Sequence, residues 1–138
     1  MILRIDHVGF ATEEPEAAAA AMSALGLGRE HRGTAEAYGV TCDFWAPGGE
    51  RDSTAIELVS PTRPDSAVSG RVADGGGGLY HLAVEVDDLV AELARLRKEG
   101  FHPMDREPCA GARPGMRVAF VYAKRPVGLI VELVQYDS

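Results

Sequence analysis

Cysteine, aromatic side chains and basic charge are all scarce in this chain, and each shortage narrows what it can be. Its two cysteines, Cys42 and Cys109, lie far apart without CxxC spacing, which in a reducing compartment marks them as packing thiols rather than a disulfide. We give neither a catalytic role. Acids outnumber bases by 21 to 14, leaving a net charge of −7. The lack of a basic tail and of a stripe of interleaved aromatics and arginines argues against nucleic acid as a partner. No apolar run approaches the ~20 residues that a membrane-spanning helix needs, and Met1-Ile2-Leu3-Arg4 opens on a strand-like pattern rather than a signal peptide. The expectation is a cytoplasmic protein. What the chain does have is 46% hydrophobic residues over 138 positions, enough to build the core of one domain.

Internal repetition is the most informative feature. The stretch Asp6-His7-Val8-Gly9-Phe10-Ala11 recurs in character at Tyr80-His81-Leu82-Ala83-Val84-Glu85, each followed by a helical stretch. Likewise Ala55-Ile56-Glu57-Leu58-Val59 recurs as Ile130-Val131-Glu132-Leu133-Val134, a β-branched run with one glutamate in its middle. His7 precedes Glu57 by 50 residues and His81 precedes Glu132 by 51, so the copies are related by a shift of 74 to 75.

Alternation and turn signals predict strand, helix and three strands in each copy: roughly 2–11, 14–25, 28–33, 37–46 and 54–60 in the first. Thr12 is the expected cap of the first helix, which Gly26 ends. In the second copy, after the strand carrying His81, Asp87 or Asp88 caps a helix that ends at Gly100, and strands follow near 101–106, 117–124 and 128–136. The predicted fold is α+β, two tandem βαβββ modules forming a cupped mixed sheet. Module one covers about 1–60 and module two about 79–138, and the Pro-, Ser- and Gly-rich stretch 61–78 reads as a crossover linker.

If Tyr80, Leu82, Val84 and Val86 pack on the helices, His81 points into the cup, and the repeat places His7 equivalently. Glu57 and Glu132 each sit in an otherwise apolar strand, where an unpaired carboxylate is costly to bury. Two imidazoles and two carboxylates from matched positions suit a divalent ion, Mn, Co, Ni or Zn, and the ligand charges neutralise it. His31 and His102 have no such matching and are left out.

These residues resemble the vicinal oxygen chelate superfamily, and within it the methylmalonyl-CoA epimerases. The likeness is carried by Ile5-Asp6-His7-Val8, Ile56-Glu57-Leu58-Val59-Ser60-Pro61, Asp65-Ser66-Ala67-Val68 and Gly78-Leu79-Tyr80-His81-Leu82-Ala83-Val84-Glu85-Val86-Asp87-Asp88. Gly115-Met116-Arg117-Val118-Ala119-Phe120 and Val127-Gly128-Leu129-Ile130-Val131-Glu132-Leu133-Val134-Gln135 continue it. The resemblance implies metal ligands His7, Glu57, His81 and Glu132, with glutamine at the Glu57 position in some epimerases. Departures are Tyr80 in place of a second histidine, expected to face away from the site, and Tyr122-Ala123 in place of a His-Pro pair. Ala20 and Ala21 stand where many relatives carry aromatics, implying a wider cup or altered contacts.

The implied reaction is epimerisation of a 2-substituted acyl-CoA thioester through an enolate, which needs an acid and a base flanking the α-carbon. Glu57 and Glu132 are the candidate pair, with Asp43 a weaker substitute for either. Arg113, Arg117, Lys124 and Arg125 form the basic cluster available to CoA phosphates. The expected partners are a small-molecule CoA thioester and a second copy of the chain, as a homodimer. A glyoxalase I-type lactoylglutathione lyase uses the same ligand order, and a biosynthetic isomerase or cyclase on another carbonyl substrate stays open. Glu57 argues against an extradiol dioxygenase, and the complete quartet against a drug-sequestering resistance protein.

Overall fold

Short β-branched runs separated by Gly and Pro turns pair into one nine-stranded mixed sheet in the computed structural model, which describes residues 1–137. The strands are β1 (Ile2–Ala11), β2 (Leu27–Ala35), β3 (Val40–Pro47), β4 (Ala55–Pro61), β5 (Gly78–Val86), β6 (His102–Pro103), β7 (Cys109–Ala110), β8 (Met116–Ala123) and β9 (Leu129–Tyr136). Their order is β2-β3-β4-β1-β5-β9-β8-β6, with β7 also on β8. β1 pairs parallel to β4 and antiparallel to β5, and β5 pairs parallel to β9. The two repeats therefore meet at β1 and β5 in the sheet centre, and the two glutamate strands flank that pair.

Three helices accompany the sheet: α1 (Pro15–Ala24), the single-turn α2 (Ser69–Val72) and α3 (Leu89–Lys98). The chain enters α1 through Pro15, whose missing N–H costs nothing at a helix start. Thr12 is not its cap. Its hydroxyl instead accepts the Glu14 N–H at 3.0 Å, in the turn just ahead of the helix. Asp88 does cap α3, accepting the Ala91 N–H at 3.1 Å, and Gly26 and Gly100 follow their helices at φ of 97° and 93°. Among the described residues no helix is long and apolar enough to cross a membrane.

Strand alternation separates two faces. Val40, Cys42, Phe44, Ala55, Val59, Ala83, Val118 and Val134 form the core inside the cup. On the outer face Trp45 and Leu58 pack with Ala19 of α1, while Val84, Val121 and Leu133 pack with Leu89 and Leu96 of α3. Ala20 and Ala21 are exposed on α1, outside the sheet, and do not set the width of the cup. Residues 61–78 do more than connect, because Val68 and Val72 are completely or nearly buried in the inner core and close one end of it. The strand expected at 101–106 shrinks to His102–Pro103, since the Asp105 carboxylate takes the Phe120 N–H at 2.7 Å in place of a backbone carbonyl and ends the ladder.

Candidate metal centre

His7, Glu57, His81 and Glu132 arrive from β1, β4, β5 and β9, and one ligand atom from each lies within 4.8 Å of all the others. His7 Nε2 is 3.1 Å from His81 Nε2, 3.4 Å from Glu57 Oε1 and 2.8 Å from Glu132 Oε1. His81 Nε2 is 3.1 Å from each carboxylate oxygen. Ligand atoms about 2.1 Å from a shared ion stand about 3.0 to 3.4 Å apart, which these spacings match. All four residues are buried, and among the described residues Glu57 Oε1 and Glu132 Oε1 meet only imidazole Nε2 atoms; with its Nδ1–H given to Asp6, a neutral His7 has no proton there to donate to them. Orphaned carboxylate oxygens at such depth are costly unless a cation meets them, so the residues present fit a divalent ion.

Two β-bulges aim the histidines. In the β1–β5 ladder Ile5 pairs with Val84 and His7 with Ala83, skipping Asp6; Gly9 then pairs with His81 and Phe10 with Leu79, skipping Tyr80. Each bulge lets two successive side chains face the cup. Tyr80 therefore does not face away. It lines the cavity beside His81, with ring centroids 4.9 Å apart.

The bulged residue differs between the copies, and so does its service to the histidine. Asp6 Oδ2 accepts the His7 Nδ1–H at 2.6 Å, which leaves Nε2 free to ligate. His81 Nδ1 has no partner among the described residues and is held by packing alone. Phe120 stands edge-on to it at 5.3 Å, as Phe44 stands to His7 at 5.3 Å. Below the His81 ring lies Gly9, where an added Cβ would fall 2.4 Å from His81 Cε1. Gly9→Ala should tilt that ring off the centre and weaken ion binding by roughly 10 to 100-fold, the range for lost ligand orientation. Competition titration against a chromophoric chelator measures this, and wild-type affinity would refute the role of Gly9.

Without an ion the four groups titrate against one another. Burial opposes the charged form of every member, yet the Glu57 and Glu132 charges hold His7 well above the ordinary imidazole range and raise His81 as well. The histidines in turn hold both carboxyls below the ordinary range.

Behind His7 lies a charge network that sequence reasoning missed. Arg113 is buried, and its guanidinium donates to Asp6 Oδ2 at 3.0 Å and to Tyr136 Oη at 2.6 Å, pairs with Glu30, and covers the Phe44 ring at 4.0 Å. The four basic residues of the expected cluster are spread out in the structure, with only Lys124 and Arg125 adjacent, in the turn after β8. Arg113 is committed inside, and Arg117 sits at the start of β8 while Lys124 lies just past its end, roughly 20 Å away by the length of the strand between them. Asp43 does not line the cup either. It lies on the outer face of β3, held bidentately by Arg29 at 2.8 and 3.1 Å. Cys42 is a buried core thiol and also lines the cavity.

The pattern of the Glyoxalase/Bleomycin resistance protein/Dioxygenase superfamily matches residues 6–120. The chain belongs to that superfamily. It is 34% identical over 139 residues to the ethylmalonyl-CoA/methylmalonyl-CoA epimerase of Cereibacter sphaeroides, covering 98% of this chain and 99% of the relative. It is 31% identical over 134 residues to the mitochondrial methylmalonyl-CoA epimerase of Homo sapiens, covering 96% and 73% respectively. A single-residue variant of Streptomyces coelicolor methylmalonyl-CoA epimerase, in complex with 2-nitronate-propionyl-CoA, superposes at a TM-score of 0.86 with 30% identity over 100% of both chains.

Proposed function

We propose that this superfamily member is a metal-dependent epimerase of a 2-substituted acyl-CoA thioester of the methylmalonyl-CoA type. The observation that carries the reading is the buried quartet with its orphaned carboxylate oxygens, opening on an apolar cavity. Near full-length likeness to methylmalonyl-CoA epimerases supports the substrate class over the lyase alternative.

His7, Glu57, His81 and Glu132 are the residues that would hold the ion, of the Co, Mn, Ni or Zn class that imidazole and carboxylate donors suit. Bound there, it supplies Lewis-acid stabilisation of the negative charge that an α-carbanion spreads onto its carbonyl oxygen. Glu57 and Glu132 enter from β4 and β9, on opposite sides of the central β1–β5 pair. That placement suits one carboxylate to take the α-proton and the other to return one from the far face. Asp6 fixes the His7 tautomer, and the apolar walls exclude bulk water from the exchanging proton. The two modules, about 1–60 and 79–138, act as a single catalytic domain.

The chain is further proposed to work in the cytoplasm as a homodimer. α1 lies over β2 and β4 and α3 over β8 and β9, while Ile2, Leu3 and Ile5 on the central β1 stay about half exposed. Light scattering should return twice the mass of one chain; a monomer would rule the dimer out.

Incubation of the ion-loaded protein with methylmalonyl-CoA in deuterated water tests the activity directly. We expect α-deuterium incorporation that a chelator abolishes. A protein that holds its ion yet exchanges no α-proton would require another carbonyl substrate.

A further inference from the structure

The cavity beside the ligands is narrow. It admits about one water molecule, so an acyl group reaching Glu57 and Glu132 must first part its walls. Two ties draw the walls together, and both join module one to module two. His31 Nε2 meets the Ala112 carbonyl oxygen at 3.0 Å, where β2 approaches so closely that a Cβ on Gly33 would lie 2.3 Å from the same oxygen. That seam is tight along the backbone.

The second tie is one side chain. Tyr38, in the 3-10 turn Glu36–Tyr38, donates its hydroxyl to Asp105 Oδ2 at 2.9 Å, and that oxygen also accepts the Phe120 N–H at 2.7 Å. The Tyr38 ring is itself a cavity wall and stands edge-on to Phe120 at 5.2 Å. Phe120 in turn stands edge-on to His81 at 5.3 Å. The wall runs unbroken from the tie to a ligand, and among the described residues no Lys or Arg lines the cavity.

We infer that Tyr38 is the gate and the specificity-determining residue of this cavity. Its hydroxyl, tied to Asp105, closes the wall, and its ring limits the size of the uncharged α-substituent that fits beside the ligands. The assignment rests on the acyl-CoA reading of the site. Opening at Tyr38 breaks one hydrogen bond to a carboxylate, whereas opening at Ala112 separates packed backbone. Losing a hydrogen bond to a charged group shifts a closed-to-open ratio by about tenfold or more.

Cys42 lines the same cavity and is buried, while Cys109 is partly exposed. Reaction of Cys42 with methyl methanethiosulfonate therefore reads opening without any acyl-CoA. In a Cys109→Ser background, Tyr38→Phe keeps the ring and removes the tie. It should speed that reaction by about tenfold, and Asp105→Ala should do likewise. Parental rates in both variants would overturn the gate. Tyr38→Ala removes the wall itself, and should raise α-proton exchange on a 2-butylmalonyl thioester relative to methylmalonyl-CoA by about tenfold. An unchanged ratio would overturn the size limit. Failure of the acyl-CoA reading would look different: no exchange on any thioester, with Cys42 still responding to loss of the tie.

Discussion

Glu132→Ala is expected to leave the protein almost free of metal after dialysis, and Glu57→Ala to do the same. The two carboxylates carry the whole charge that balances a divalent ion in a buried, apolar surround, so losing one leaves a net positive centre with no solvent to screen it. Elemental analysis should fall from about one ion per chain to a small fraction of that, because ligand and counter-charge disappear together. Loss of a carboxylate acid or base at the same step lowers α-proton exchange by roughly 10² to 10⁴-fold. Glu57→Gln should be the mildest change for ion binding, since it keeps an oxygen donor where some epimerases carry glutamine, while α-proton exchange falls with the lost carboxylate.

The pH dependence has a fixed sign. Burial disfavours the protonated form of His7, but Glu57 and Glu132 outweigh it and keep the imidazole protonated to higher pH than usual. An entering ion must displace that proton, so affinity climbs as pH rises through the raised range and levels off above it. For His81, Glu132 is the first of the groups that raise its pKa against burial. Glu132→Ala should therefore flatten the pH dependence as well as weaken binding. Unchanged stoichiometry in both alanine variants would remove the carboxylates from the ligand set.

The quartet was legible because strand alternation and a repeat shift of 74 to 75 place matched residues on matched faces, and the structure brings all four together. The same logic misplaced Tyr80, because a bulge slips the alternation by one residue and nothing in Leu79-Tyr80-His81 marks where it falls. The place of Asp43 was readable. Val40, Cys42 and Phe44 share the inner face of β3, which puts Asp43 outside by simple alternation. The pairing of Asp6 with Arg113 spans 107 residues, and no local pattern announces a partner at that distance. Gly9 and the facing phenylalanines belong to the same class. Their roles depend on how closely rings approach across strands, which composition does not encode.

Arg113→Met is expected to be the most destabilising single change outside the quartet. The buried guanidinium pairs with Asp6 and Glu30, hydrogen-bonds Tyr136 and covers Phe44. Methionine fills much of the volume but leaves Asp6 and Glu30 with only the more distant Arg4, at 3.4 Å, and Arg51, at 4.0 Å, as arginine partners, and breaking a buried pair in this way costs about 3 to 5 kcal/mol. In a domain of this size that corresponds to a fall in Tm of roughly 10 to 20 °C. The exposed Arg117→Met on β8 should stay within about 0.5 kcal/mol of the parent. A second effect separates Arg113 from an ordinary core residue. Burial pushes the Asp6 carboxyl up, and the hydrogen bond from His7 and the charges of His7 and Arg113 bring it below its usual range. Without Arg113 that carboxyl rises, holds the His7 Nδ1–H less firmly, and costs the ion roughly 10 to 100-fold in affinity. Thermal unfolding with and without added metal measures both effects, since lost affinity shrinks the stabilisation that a given ion concentration confers. A variant that unfolds with the parent, or one that is destabilised while binding the ion as tightly as before, would sever Arg113 from the metal centre.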